Sequence, residues 1–350
     1  MTYQVVQWAT GSIGRVCLRH VIDRSDLALV GLLTYSPEKV GRDAGAIAKR
    51  DPVGVTAVDD RQSILALDAD VVLHTPLNGV ATDEHDDDIL ALLSSGKNVI
   101  TTVGFTNPFV YEADRVARLE EACQRGGVTL FGTGINPGTV AERIGVTLTS
   151  ICTDVEHLFV REVYDCSPVA SPGFIFDLAG FGMKPDDFDN ARAGREPFFE
   201  SLFGEVVGFV GASMGVEFEA VEPDHDVSLA REDLTLPAGT VERGTVANIR
   251  WRWHGIHEGA RLFTIQMDWV LDRSEPGWEA GDGWRIEIEG APRVAMDLVV
   301  DDPVGRTERS KAIQYAVAGP VVRAIPDVVA ASPGILLPPV FAAYRPPNTS

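Results

Sequence analysis

The chain has 350 residues, 45% of them hydrophobic and 23% charged, enough to bury a sizeable core and to form two domains of ordinary size. Its formal net charge of -21 argues against nucleic acid or an anionic membrane as partner, since both are held mainly by Lys and Arg. Cys17, Cys123, Cys152 and Cys166 are too dispersed for a CxxC pair or a zinc cluster, so a reduced chain with no metal is expected. The opening MTYQVVQWATGSIG reaches glycine before an export signal could form, and no stretch approaches the roughly 20 apolar residues of a membrane span. A cytoplasmic protein acting on a small-molecule substrate is the expectation.

The first 150 residues alternate short apolar runs with helical segments. Strands are expected at Tyr3–Gln7, Ala28–Thr34, Val55–Val58, Val71–His74, Asn98–Thr102 and Val128–Phe131. Helices are expected at Ile13–Ile22, Arg61–Leu67, Asp86–Ser94 and Tyr111–Arg125. Such alternation predicts a parallel sheet covered on both faces. A further helix, Pro137–Thr149, would begin on a proline whose missing N–H costs nothing there.

From Val155 the period changes. Val155–Tyr164, Glu217–Glu222, Val246–His254, Leu262–Leu271 and Trp284–Ile288 read as antiparallel strands, with helices near Phe174–Phe181 and Phe198–Met214. The fold class is therefore α/β: a Rossmann-type parallel sheet with a second α+β domain built on a largely antiparallel sheet. Residues 1–150 form the dinucleotide-binding domain and 151–306 the substrate and dimerisation domain. The helical segment Thr307–Ile325 and an irregular proline-rich tail, Pro326–Pro339, are placed back against the first domain.

The strand Tyr3–Gln7 runs into Ala9-Thr10-Gly11-Ser12-Ile13-Gly14 and then a helix, which is a dinucleotide fingerprint with Ala9 in place of its first glycine. Gly11 would let the backbone approach a pyrophosphate, Gly14 would let helix and sheet pack closely, and the N–H groups at Ser12 and Ile13 would face the phosphates. No carboxylate closes the second strand at Thr34 or Tyr35, and Ser36, Lys39 and Arg42 could hold a 2′-phosphate. NADP is the expected cofactor, with NAD the alternative; Glu38 argues for the latter. Thr75, Pro76, Thr101 and Thr102 follow the fourth and fifth strands and are expected near the nicotinamide ribose, with His74 read as a satisfied turn residue.

WATGSIGR, TYSPEKVGRDAG, NVITT and the segment Gly132-Thr133-Gly134-Ile135-Asn136-Pro137-Gly138 resemble the dihydrodipicolinate reductase-like superfamily. The nearest branch is that of the 2,4-diaminopentanoate dehydrogenases and native amine dehydrogenases. The resemblance implies a homodimer, a nicotinamide cofactor on the first domain with Asn136 lining its nicotinamide end, and hydride transfer to or from a C=N or C–N group.

Two stretches depart from the pattern. Val160 to Pro168 lacks the paired-His and Lys signature of the reductases, which argues against the lysine-biosynthetic reaction. The amine dehydrogenases share a glutamate just after the fifth strand, and Val103-Gly104-Phe105-Thr106-Asn107-Pro108 has no acid. Phe105 and Asn107 are then substrate-binding candidates, and a carbonyl-specific reductase is an alternative, as is a cofactor-binding sensor without turnover. Proton donors are sought at the entry to the second domain, among Arg161, Glu162, Tyr164 and Asp165, with Asp165 first. Trp251, Trp253, His254 and His257 read as aromatic packing with solvated histidines, and the acidic run Asp83 to Asp88 as a solvated helix cap.

Overall fold

A computed structural model describes residues 2–78, 81–305 and 310–346, without the side chains of 192–196 and 198. Two compact units result, residues 1–139 with 300–338, and residues 140–299 with 339–350.

In the first unit the strands are β1 (Tyr3–Trp8), β2 (Leu27–Leu33), β3 (Ala57–Val58), β4 (Val71–His74), β5 (Asn98–Thr101) and β6 (Thr129–Gly132). The helices between them are α1 (Ser12–Asp23), α2 (Ala44–Ala48), α3 (Arg61–Leu65), α4 (Asp86–Ser94) and α5 (Ala113–Gly126). The sheet is parallel, in the order β6-β5-β4-β1-β2-β3, and a short strand, Gly334–Ile335, adds a seventh member beside β6. β4, β5 and β6 are buried along their whole length, as strands covered on both faces must be. One core cluster joins Val6, Val72, Val99 and Leu130 to Ile89 and Leu92 of α4 and Leu119 and Ala122 of α5. Another joins Val5, Leu73 and Ile100 to Val16 and Val21 of α1 and to Val321 and Ile325.

Local chemistry sets the helix ends. Asp43 caps α2 by accepting from Gly45 N at 2.8 Å, and Asp60 caps α3 by accepting from Gln62 N and Ser63 N. Gly127, at φ 67°, ends α5 in the left-handed conformation that glycine adopts without a Cβ clash. The tail departs from the irregular segment expected at Pro326–Pro339: Pro326 stands in the first turn of a helix, Ile325–Ala330, and Gly334–Ile335 pairs with β6. A helix also occupies Ala312–Arg323, and the expected segment's residues 307–309 lie outside the described residues.

The second unit is a six-stranded sheet in the order β14-β13-β7-β12-β11-β8: β7 (Asp154–Asp165), β8 (Ala220–Leu229), β11 (Val246–His257), β12 (Ala260–Val270), β13 (Gly283–Ala291) and β14 (Val294–Leu298). A hairpin, β9 (Leu234–Leu236) and β10 (Gly239–Val241), stands apart. All neighbours are antiparallel except β7 and β12. Period-two alternation divides β11 cleanly. Ile249, Trp251 and Trp253 are buried and face the long helix Pro185–Met214, where Phe199 stacks on Trp251 and Phe203 on Trp253 at 4.2 Å. Arg250, Arg252 and His254 face the other way into an ion-pair network.

His254 corrects one expectation, since it is 2% exposed rather than solvated, held by Thr264 at Nδ1 and Asp224 at Nε2. Asp86 corrects another: the cap it belongs to is not wholly solvated, because its carboxylate is buried against Arg115.

Candidate functional site

β1 is bordered by β2 on one side and β4 on the other, so the order in which strands are added reverses there, and parallel sheets of this kind bind ligands beyond the strand ends at such a point. The fingerprint lies at this point. Ala9, where such loops usually carry glycine, sits at φ 77°, the left-handed conformation that disfavours a Cβ. A Cβ built on Gly14 would stand 2.2 Å from the Ala9 carbonyl oxygen and 2.8 Å from Thr75 Oγ1, so the helix packs this closely because the side chain is missing. A Cβ on Gly11 would meet nothing within 4 Å. Space therefore lies in front of Gly11 and none behind Gly14, as backbone approach to a phosphate on one side and helix packing on the other require. Gly11 also caps α1 without a side-chain bond, leaving the first-turn N–H groups of Ser12 and Ile13 facing that space.

Polar side chains support the loop from below. Gln7 is fully buried in β1, and its Nε2 donates to the Ala9 carbonyl at 3.0 Å and to Thr75 Oγ1 at 2.8 Å, joining the ends of β1 and β4. Sequence reasoning passed over Gln7, although an amide in an otherwise apolar run before a glycine loop was a usable signal. Thr10 and Thr34 share a hydroxyl contact of 2.8 Å, and Lys39 Nζ donates to the Thr10 carbonyl and hydroxyl oxygens at 3.1 and 3.2 Å. The ammonium is thus anchored on the fingerprint loop. Ser36 donates its backbone N–H to Thr34 Oγ1, and Arg42 is exposed on the same connection. Trp8 Nε1 donates to the Tyr35 hydroxyl at 2.8 Å, which fixes the first aromatic after β2.

At the neighbouring strand ends, Thr75 Oγ1 donates to the Trp8 carbonyl, and Pro76 follows it. Thr101 is buried, with its hydroxyl against His74 Nδ1 at 3.0 Å and the Val103 N–H at 3.3 Å, while Thr102 is half-buried and donates its backbone N–H to the His74 carbonyl. Phe105, at φ 60°, is 3% exposed, edge-on to Tyr111 and below the Arg115 guanidinium; Asn107 is also 3% exposed. The segment Thr133 to Gly138 turns tightly, and a Cβ on Gly138 would stand 2.4 Å from Gly134 N. Asn136 is half-buried there, before a cis Pro137. The helix expected to start on Pro137 begins instead at Val140, as a π-helical turn.

In the second unit, Arg161 and Arg250 both bind the fully buried Asp268, Arg161 at 2.5 Å and Arg250 at 2.9 Å. Gln266 adds a bond to the same carboxylate at 2.8 Å. Glu162 accepts from Trp284 Nε1 at 2.6 Å. Tyr164, on the same face of β7 as Glu162, has its phenol pushed up to about 12, first by burial and then by nearby Cys166 and carboxylates. Asp165 ends the strand: its Oδ1 accepts from Ser167 N at 2.8 Å, and its own N–H donates to Asp282. Glu142, buried at 1% just after the Thr133 to Gly138 turn, is a further carboxylate that strand-end reasoning did not reach.

The profile of the 2,4-diaminopentanoate dehydrogenase C-terminal domain matches residues 139–338, more than half of the chain. The chain belongs to this family. It is an oxidoreductase of the NAD(P)-dependent kind. An amine dehydrogenase of Streptomyces virginiae is 28% identical over 342 residues, covering 94% of this chain and 93% of its own. The 2,4-diaminopentanoate dehydrogenase of Acetoanaerobium sticklandii is 24% identical, with 82% of this chain and 77% of its own covered. Among solved structures, an amine dehydrogenase from Mycobacterium smegmatis superposes with TM-score 0.77 at 20% identity over 97% of both chains, which supports the fold of this dehydrogenase.

Proposed function

We propose that the chain interconverts a C–N and a C=N bond of a small metabolite by NAD(P)-dependent hydride transfer between amine and imine. The observation that carries this is the fingerprint geometry, open in front of Gly11 and closed behind Gly14, in a chain of the diaminopentanoate dehydrogenase family. The residues fit a dinucleotide: first-turn N–H groups for the pyrophosphate, and Lys39 with Ser36 and Arg42 beyond β2 for a 2′-phosphate. NADP is the favoured cofactor, because no carboxylate stands at Thr34 or Tyr35 to repel that phosphate.

When bound, the nicotinamide supplies the hydride acceptor or donor. The chain's own groups bind the cofactor, orient the substrate and move the proton. In the oxidative direction the substrate carbon loses a hydride and its nitrogen a proton, and the resulting imine adds water. Asp165 is the proposed proton-transfer group, with Oδ1 fixed by Ser167 N; Arg161, Glu162 and Tyr164 are the reserve set, and Phe105, Asn107 and Asn136 the proposed contacts for substrate and nicotinamide. Asp165→Asn is expected to lower kcat about a hundredfold and leave cofactor affinity nearly unchanged. Full turnover in this variant removes Asp165 from the reaction.

The acid-free segment from Val103 to Pro108 favours a second reading, reduction of a carbonyl without amine handling. Cofactor oxidation against small ketones, with and without ammonia, separates the two. Ammonia-dependent turnover supports the amine reading, and equal rates without ammonia support the carbonyl one. Tight cofactor binding with no turnover on either series would leave a sensor.

A further inference from the structure

His74, His85 and Asp88 lie far enough apart in sequence that no spacing motif joins them, yet the first unit brings one ligand atom of each within 4.8 Å of the other two. His74 ends β4, and His85 and Asp88 stand one turn apart at the start of α4. We propose that these three side chains form a binding site for a divalent transition-metal ion, zinc foremost, that clamps the start of α4 to the end of β4.

The hydrogen bonding engages one nitrogen of each ring and leaves the other for a ligand. His85 Nε2 lies 3.1 Å from the Leu77 carbonyl, which can only accept, so the proton is on Nε2 and Nδ1 carries the free lone pair. His74 is fully buried; its Nδ1 is held by Thr101 Oγ1 at 3.0 Å, and its Nε2 has no hydrogen-bond partner among the described residues. The Thr101 hydroxyl, which can donate or accept, holds this ring in place and leaves Nε2 as the nitrogen open to a ligand. Asp88 gives Oδ1 to Arg61 at 3.0 Å, while Oδ2 takes a long 3.4 Å bond from the Tyr35 hydroxyl and is the oxygen available to a cation.

The His74 and His85 rings stand edge-on to one another with centroids 5.5 Å apart. Two nitrogens and one oxygen suit zinc, with a fourth position for water. Tetrahedral zinc ligands stand about 3.3 Å apart, so closing on the ion requires side-chain shifts of roughly an ångström. The acidic helix start alone would be a helix cap, partly held by Arg115; the buried His74 adds the third ligand.

The test is zinc saturation of the full chain, gel filtration and elemental analysis, with cobalt as a spectroscopic probe. One zinc per chain is expected, with visible cobalt bands lacking thiolate charge transfer, and a melting temperature about 3 °C higher than after EDTA. His85→Ala, on the half-buried ligand, is expected to lose both metal and bands, as is Asp88→Ala. Asp87→Asn, on the same acidic turn, is expected to keep them. Wild-type protein without zinc, or His85→Ala retaining it, overturns the site, the latter assigning the metal to surface adsorption.

Discussion

Gly11 and Gly14 are three residues apart and answer opposite steric demands. Gly11 has an extended backbone and open space where its side chain would be, so Gly11→Leu should leave the urea midpoint nearly unchanged while abolishing cofactor binding by calorimetry. Unaltered affinity in that folded variant would remove the pyrophosphate assignment. Gly14 has no such latitude. A methyl group 2.2 Å from a backbone oxygen cannot be absorbed by a rotamer change, so Gly14→Ala should cost stability as well as binding, on the order of 1–3 kcal/mol. Lys39 is the residue-scale test of cofactor choice. Lys39→Ala should weaken NADP about tenfold more than NAD, the loss expected of one charge-assisted phosphate contact. Equal losses for the two cofactors, or a wild-type preference for NAD, would reverse the proposal.

Between elements, α5 is tied to the start of α4 by ion pairs from Arg115 and, at 3.7 Å, from Arg118 to Asp86. Arg115 holds Asp86 through two bonds of 2.9 and 2.7 Å, also donates to the Thr82 carbonyl, and covers the Tyr111 ring at 3.8 Å. Both partners are largely buried, and Arg118 at 3.7 Å compensates Asp86 only in part: Arg115→Ala should destabilise the protein by about 3 kcal/mol in urea, and a loss under 1 kcal/mol would show the pair to be dispensable. β7, β11 and β12 are linked by a different chain, from His157 through Thr264 to His254 and Asp224. Burial pushes the His157 pKa below its ordinary value. The unfolded chain therefore takes up a proton near pH 6.5 that the folded chain resists, so stability falls as pH drops below that point and is insensitive to this group above it. His157→Gln should flatten the decline in urea midpoint between pH 7 and pH 5.5. An identical slope in the variant would assign the decline to other groups.

For the whole molecule, the proposal is a homodimer built on the sheet of the second unit. The long strands β7, β11, β12 and β13 present one face to the long helix, and the opposite face carries Arg161, Arg250, Arg252 and His254 with their carboxylates. Sheet faces and edges of that length are usually covered. Sedimentation at working concentration should give twice the 37.8 kDa chain mass, and a stable active monomer would show that the second copy is unnecessary.

The first unit's strands and helices were legible because they depend on local periodicity. Apolar runs at Val71–His74 and Asn98–Thr101 needed no knowledge of their neighbours, and a glycine loop between a strand and a helix carries its own context. The same holds for the alternation of Ile249, Trp251 and Trp253 with Arg250 and Arg252. Where local signals compete, they misled: Pro137 looked like a helix start, but Gly138 at φ 116° cannot be helical, and the helix waits until Val140. Short elements such as α2 and Gly334–Ile335 were missed because a few residues carry no period. By itself the sequence determined the Rossmann-type fold, the glycine loop at its first strand-to-helix junction and the family. Only the tertiary structure decided that Asp268 is buried between Arg161 and Arg250, that Gln7 joins two strand ends, and that His74 meets His85 and Asp88. Those meetings depend on strand register and helix docking, which no spacing along the chain encodes.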